Sequence, residues 1–255
     1  MISLSVVIIT YNEARNIVRC IRSVQSIANE IVVIDSGSTD QTVALAVNHG
    51  ARVINHPFEG HIQQKNFAVS QAISDYVLSL DADEALDDTA CKAIEQCLKH
   101  WNADGYTFNR MNSYCGRFIK YGAWYPDTKL RLWDRRKGRW EGINPHDRFQ
   151  MQPDTTIKHL SGHILHYSYQ TVEEHRKKIS IFSSIAADAY YSKGIKSNKL
   201  KILLHPFSRF IRDYFIKAGF LDGWRGFVIA RLTAKEVYIK YKQLLLLQQR
   251  PKSDF

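Results

Sequence analysis

The stretch YVLSLDADEALDD, Tyr76–Asp88, decides how the chain is read. Five residues with the look of a buried strand, Tyr76 to Leu80, run straight into Asp81, Asp83 and Glu84, with Asp87 and Asp88 close behind. Asp87, Asp88 and Thr89 suit a helix start, where side-chain oxygens cap free N–H groups and negative charge complements the dipole. Asp81 and Asp83 need another reason. Strand alternation predicts both on one side of the strand's end, and packed carboxylates repel one another unless a cation is supplied.

The same pattern recurs on the N-terminal side. LSVVIIT is followed by a predicted helix from about Ala14, EIVVIDS by one from Gln41, ARVIN by one near IQQKNFAVSQA, and YVLSL by one near TACKAIEQCLKH. Short apolar runs separated by helices predict an α/β fold with a mostly parallel sheet covered on both faces. Ligands of such sheets sit at the carboxyl ends of the strands, which here read TYNE, DSGSTD and DADE. From Gly105 to about Tyr169 the text changes to short strands rich in Trp, Tyr, Arg and Gly, and after Thr171 it becomes helical. The expected division is a catalytic domain over 1–170, with halves 1–104 and 105–170, and a basic helical appendage over 171–255.

The 255 residues, 45% hydrophobic and 12% aromatic, are a globular composition. No run approaches the roughly 18 apolar residues of a membrane span, and MISLSVVIITYNE lacks the features of a signal peptide. The expected location is cytoplasmic. Cys20, Cys91, Cys97 and Cys115 have no paired CxxC spacing and are expected as free thiols rather than zinc ligands. The net charge of +10 is uneven: residues 1–109 carry 7 Lys+Arg against 13 Asp+Glu, and residues 110–255 carry 28 against 12. An acidic half suits a metal; a basic half suits phosphate-bearing lipid, anionic glycan or nucleic acid.

Neither GxGxxG nor GxxxxGK[ST] follows a strand, so a diphosphate at these strand ends calls for a metal. Asp81 and Asp83 are hard oxygen donors suited to Mg²⁺ or Mn²⁺. Asp35 could accept from a base N–H, Asn12 or Glu13 could hold a ribose, and Asp40 could cap the helix at Gln41. Together these describe a nucleotide diphosphate pocket.

SVVIITYNE, IVVIDSGSTDQT, QKNFA and LSLDADE, in that order and spacing, resemble the family 2 glycosyltransferases. WYPDTKLRLWDRRKGRWEGINPHDRF and HILHYSY resemble the branch that adds β-linked glucose to the lipopolysaccharide inner core. The resemblance implies a GT-A fold, a UDP-sugar donor, a lipid-linked glycan acceptor, a divalent cation and inversion. Ser36 stands where many relatives carry a second Asp, and Asp147 where the branch more often has Glu. Carried over by position, Thr10, Tyr11, Asn12 and Glu13 line the nucleoside pocket and Asp35 reads the base. Lys65 lies near the nucleotide or sugar. Asp81, Ala82 and Asp83 form the DxD motif, with Asp83 the direct metal ligand, Asp81 beside it and His166 a further one. Inversion needs a base on the acceptor side. Asp147 is the first choice and Glu141 the second.

Lys129 and Arg131 alternate onto one strand face and suit diphosphate charge. Trp124, Tyr125, Trp133 and Trp140 suit either sugar stacking or core packing. Phe207, Phe210, Ile211, Tyr214 and Phe215 follow helical spacing, flanked by Arg209, Arg212 and Lys217, and suit peripheral contact with an anionic membrane on its cytoplasmic face. Nucleic acid is not expected as a partner. The residues leave two other functions open, a polyprenyl-phosphate glycosyltransferase and a non-catalytic protein on the same fold that binds an anionic polymer.

Overall fold

Four apolar runs become β1 (Leu4–Thr10), β2 (Glu30–Asp35), β3 (Arg52–Asn55) and β4 (Tyr76–Asp81), separated by α1 (Ile17–Val24), α2 (Thr42–Asn48) and α3 (His61–Ser70). There follow β5 (Glu84–Leu86), α4 (Asp88–Lys99), β6 (Gly105–Tyr114), β7 (Arg117–Phe118), β8 (Asp127–Asp134), β9 (Gly138–Ile143), β10 (His146–Met151) and β11 (Ile157–Tyr169). The helices α5 (Val172–Ser192), α6 (Lys199–Ile211) and α7 (Gly223–Gln249) complete the computed structural model, which describes residues 2–143 and 146–249. Asn144 and Pro145 of the NPHD motif, and the last six residues of the expected appendage, lie outside the described residues.

The chain divides into two compact units. The first comprises the residues up to Met111 together with Asp127–Tyr167, and the second comprises Asn112–Pro126 with the residues from Ser168 onward. In the first, strands run in the order β3-β2-β1-β4-β8-β6-β11-β5. β3, β2, β1 and β4 are mutually parallel, and the pairs β4–β8, β6–β8 and β11–β5 are antiparallel. The sheet is thus α/β and mixed, parallel through β3, β2, β1 and β4 as the apolar runs lead one to expect and antiparallel beyond them. Near-continuous burial of β1 and β2 explains why their apolar residues run together instead of alternating. α1 presents Ile17, Cys20, Ile21 and Val24, all fully buried, at the i, i+3, i+4, i+7 spacing of one helical face. Ile17, Ile21 and Val24 each contribute about 1.5–3 kcal/mol by leaving water.

Two local devices shape the strand ends. Asp87 caps α4 by accepting from Ala90 N at 2.8 Å, as its helix-start composition predicts. Gly162 in β11 has φ +92°, and a Cβ there would stand 2.2 Å from Ala90 N. Only glycine admits that approach of β11 to the start of α4. All four cysteines are free thiols.

In the second unit, the short β7 hairpins with the end of β6, and α7 packs against both α5 and α6. Residues 112–126, placed by sequence with the catalytic domain, join the helices for identifiable reasons. Cys115 N donates to Tyr169 O, Arg225 donates to the Tyr114 and Cys115 carbonyls, and the buried Asp222 carboxylate accepts from Lys120 N and Tyr121 N. Tyr114, Ile119 and Ile229 form their shared apolar core.

Candidate active site

β1 delivers the buried Thr10, whose Oγ1 has no hydrogen-bond partner among the described residues, followed by the exposed Tyr11. Asn12, at φ 52°, accepts from Thr39 N at 2.8 Å and takes Ser38 Oγ on its own N–H, which ties the loop after β1 to the loop after β2. Glu13 is held the same way, its N–H donating to Thr42 Oγ1 and its carboxylate accepting from Asn16 Nδ2. Asp35 ends β2 buried. Its Oδ2 accepts from Gly37 N and Ser38 N and its Oδ1 from Ser38 Oγ, so much of its capacity organises its own turn. Asp40 bonds Thr42 N at 2.9 Å at the start of α2.

β4 ends at Asp81, and the chain then turns through Ala82 and Asp83 before β5. Strand alternation therefore stops at Asp81, and the two carboxylates of the motif take different partners, contrary to the same-side expectation. Ala82 is buried, its N–H donating to Ile9 O. Asp81 Oδ1 lies 3.2 Å from Lys65 Nζ but accepts no hydrogen bond among the described residues, and Oδ2 lies 3.3 Å from Arg131 Nη2. Burial pushes the Asp81 carboxyl upward, but Lys65 and Arg131, then Arg110 and His166, overcome that and hold it well below the usual carboxylate range. Asp83 instead meets His166, with Oδ2 3.1 Å from Nε2, while its carbonyl accepts from Tyr167 N.

Lys65 joins the two halves of the site. It is buried on α3, and its ammonium also sits 2.8 Å from Asp147 Oδ2 and 4.5 Å from the centre of the Trp140 ring. Asp147 is brought there by the β9–β10 hairpin, which is clamped to α3 by two bonds between the Asn66 amide and the Trp140 backbone. Hairpin register pairs Gly142 with Asp147 and Glu141 with Arg148, so Asp147 and Glu141 occupy opposite faces. Glu141 is half-exposed and bonded to Arg139.

Glu84, Arg110 and Asp127 were not assigned a role from sequence. Glu84 is buried, and its carboxylate accepts from Asp81 N, Arg110 and Arg131 at 3.1, 3.1 and 2.8 Å. Arg110 passes on to Asp127 at 2.8 Å, which also holds Lys129 at 2.9 Å. Burial opposes the charge on Arg131, but Glu84 and Asp81 more than offset it and raise its pKa. Its Nε is buried without a hydrogen-bond partner among the described residues. The available signals were the fourth residue of DADE and the charged alternation through Asp127, Lys129 and Arg131. Lys129 stays on Asp127 while Arg131 reaches the site.

Trp124, Trp133 and Trp140 are packed in apolar clusters. Trp133 stacks on Phe149 at 3.8 Å and meets Trp140 edge-on, all three buried. Trp124 packs with Tyr114, Tyr169 and His175 in the second unit, where Tyr125 is partly buried.

As for a cation, no group of three or more His, Cys, Asp and Glu side chains converges among the described residues. Asp83 and His166 do meet as a pair, and a carboxylate oxygen with an imidazole nitrogen suits Mg²⁺ or Mn²⁺ whose other positions go to water and phosphate. The donor chemistry fits.

The profile of the family described as Glycosyl transferase family 2 matches residues 5–193. An uncharacterised glycosyltransferase of Rickettsia typhi is 32% identical over 96% of this chain and 87% of its own. The lipopolysaccharide core biosynthesis glycosyltransferase LpsC of Rhizobium meliloti is 30% identical over 98% of this chain and 96% of its own. Among solved structures, S. aureus TarS overlays 94% of this chain and 55% of its own with a TM-score of 0.50 at 15% identity, a likeness of fold. The mixed sheet with its covering helices is of the GT-A type.

Proposed function

The chain belongs to the family 2 glycosyltransferases, and on that premise we propose that it moves a sugar, with UDP-glucose the expected donor, onto a lipopolysaccharide core or another lipid-linked glycan, with inversion. The observation that carries this is the buried Lys65 ammonium within 3.2 Å of Asp81 and 2.8 Å of Asp147. It unites the donor-side strand end and the acceptor-half carboxylate in one cluster. The kinship with LpsC supports the choice of acceptor.

Thr10, Tyr11, Asn12, Glu13 and Asp35 would receive the nucleoside, and the buried Thr10 Oγ1, without a partner among the described residues, supports a polar ligand there. Asp83 and His166 would hold Mg²⁺ or Mn²⁺, which when bound supplies positive charge against the departing diphosphate. Asp147 takes the proton of the acceptor hydroxyl as that oxygen attacks the anomeric carbon from the face opposite the diphosphate. The C–O bond to the diphosphate breaks and UDP leaves. Lys65 and Arg131 contribute fixed positive charge, which stabilises developing negative charge most strongly in a site shielded from water. Lys65 is expected to exchange its hold on Asp147 for the donor, freeing the carboxylate to act.

The test is a nucleotide-release screen of the purified protein against UDP-, GDP- and dTDP-sugars. Release from UDP-glucose above the others is expected. Release from a GDP- or dTDP-sugar alone would replace the donor, and release from none would remove the enzymatic reading of these residues.

A further inference from the structure

An apolar stripe on a helix normally faces a core. In α6 it does not. Leu200, Leu203, Leu204 and Phe207 are spaced to share one face, yet they are 62, 71, 50 and 66% exposed, and no residue of the helix is buried. The exposed apolar surface continues through the π-helical turn Arg212–Ile216 and the 3₁₀ turn Gly219–Asp222 as Phe215, Ile216, Phe220, Leu221 and, at the start of α7, Trp224. Phe215 and Phe220 both contact the Tyr214 ring, at 5.0 and 6.3 Å. A solvent-facing patch of this kind marks a binding surface.

The charges say what covers it. From Ala189 to Lys235 the chain has ten Lys and Arg but only two carboxylates, Asp213 and Asp222, and both are buried. Asp213 accepts from Arg209 and Arg212, and Asp222 accepts from the Lys120 and Tyr121 N–H groups. This stretch therefore offers no exposed carboxylate, while Lys193, Lys196, Lys199 and Lys217 are exposed around the apolar residues. A second copy would set lysines against lysines in a self-complementary contact, which like-charge repulsion opposes. An anionic leaflet matches both features.

We propose that this face of the second unit inserts its apolar side chains into the boundary between headgroups and acyl chains of an anionic bilayer, with the lysines on the headgroups. It deepens, and for its purpose rests on, the reading of a lipid-linked acceptor, but it stands on the second unit alone. Among the described residues no helix is long and apolar enough to cross a membrane, so the chain would lie on the surface. Arg209 and Arg212, which sequence assigns to the lipid, are engaged by Asp213 instead.

The experiment is co-sedimentation of the full chain with phosphatidylcholine vesicles, with and without phosphatidylglycerol and free of any glycan. Binding to the anionic vesicles only is expected. Replacing Leu203, Phe207 and Ile216 together by Gln should weaken it about tenfold or more, and Lys193, Lys196 and Lys199 by Gln should do the same at low salt. Brominated acyl chains should quench part of the tryptophan emission, and Trp224→Phe, which leaves the rest of the face intact, should remove that part. The proposal is overturned if the wild type ignores anionic vesicles at low salt, if the apolar variant binds like the wild type, or if ultracentrifugation finds a dimer that the apolar variant dissolves while vesicles stay bare. UDP release measured without vesicles separates the outcomes. Release with no vesicle binding removes the surface and keeps the enzyme, and vesicle binding without release does the reverse.

Discussion

At Lys65 a long, strongly hydrated side chain is taken out of water, and the cost is met only because two carboxylates and an aromatic face receive it. The apolar periodicity of α3 gave no warning. Its buried face consists of Gln64, Lys65 and Ala68, and an inward polar face of that sort is visible only once the β9–β10 hairpin is folded over it. Asp147, by contrast, was singled out from sequence as a carboxylate of the second half, and hairpin register now puts it on the face opposite Glu141. Asp147→Asn should lower the transfer rate by roughly a hundred- to ten-thousand-fold while UDP affinity barely changes. Glu141→Gln, at a half-exposed position paired with Arg139, should change the rate little. Steady-state kinetics with calorimetric UDP binding checks both, and the reverse pattern would move the base to Glu141.

At the scale of elements, the strands of the parallel half were readable because burial on both faces writes them as unbroken apolar runs. The turn that parts Asp81 from Asp83 was not, because alternation holds only while a strand continues. β11 carries His166 to Asp83, and its path depends on Gly162 passing the start of α4. Gly162→Ala forces a Cβ onto Ala90 and a positive φ on a residue that disfavours it. A loss of about 1–3 kcal/mol is expected from the strained conformation, seen as a lower denaturation midpoint, together with weaker Mn²⁺ binding. An unchanged midpoint would mean that β11 has another route past α4.

α5 holds a second test. His175 is buried against Tyr114, its Nδ1 3.2 Å from the phenol oxygen, and burial, with Lys178 adding, pushes its pKa down to about 4. The unfolded chain binds a proton near pH 6.5, where the folded one does not. Stability from this residue is therefore complete above about pH 6.5 and is lost as pH falls toward 4. Thermal melting between pH 7 and pH 4 should show that fall, and His175→Phe should flatten it; an equal slope in the variant would assign the loss to other groups.

Over the whole molecule, linear counting overstated the charge asymmetry. Cut at residue 109, the halves differ as −6 and +16, but β8 to β10 return basic residues to the acidic strand ends, leaving 16 Lys+Arg against 18 Asp+Glu in the first unit and 19 against 7 in the second. Arg110 and Arg131 are the clearest cases, both spent on Glu84. The sequence thus indicates the family and the acidic DADE motif, whereas the neutralising network around the motif appears only through long-range strand pairing. Central to the proposed function is a cation held at Asp83 and His166 against the diphosphate. The most direct measurement is UDP release from the donor by the wild type and by Asp83→Asn, before and after EDTA and after restoring Mg²⁺ or Mn²⁺. Wild-type release that stops in EDTA and returns with the metal, and near-complete loss in Asp83→Asn under all conditions, is the predicted result; full release in EDTA would contradict it.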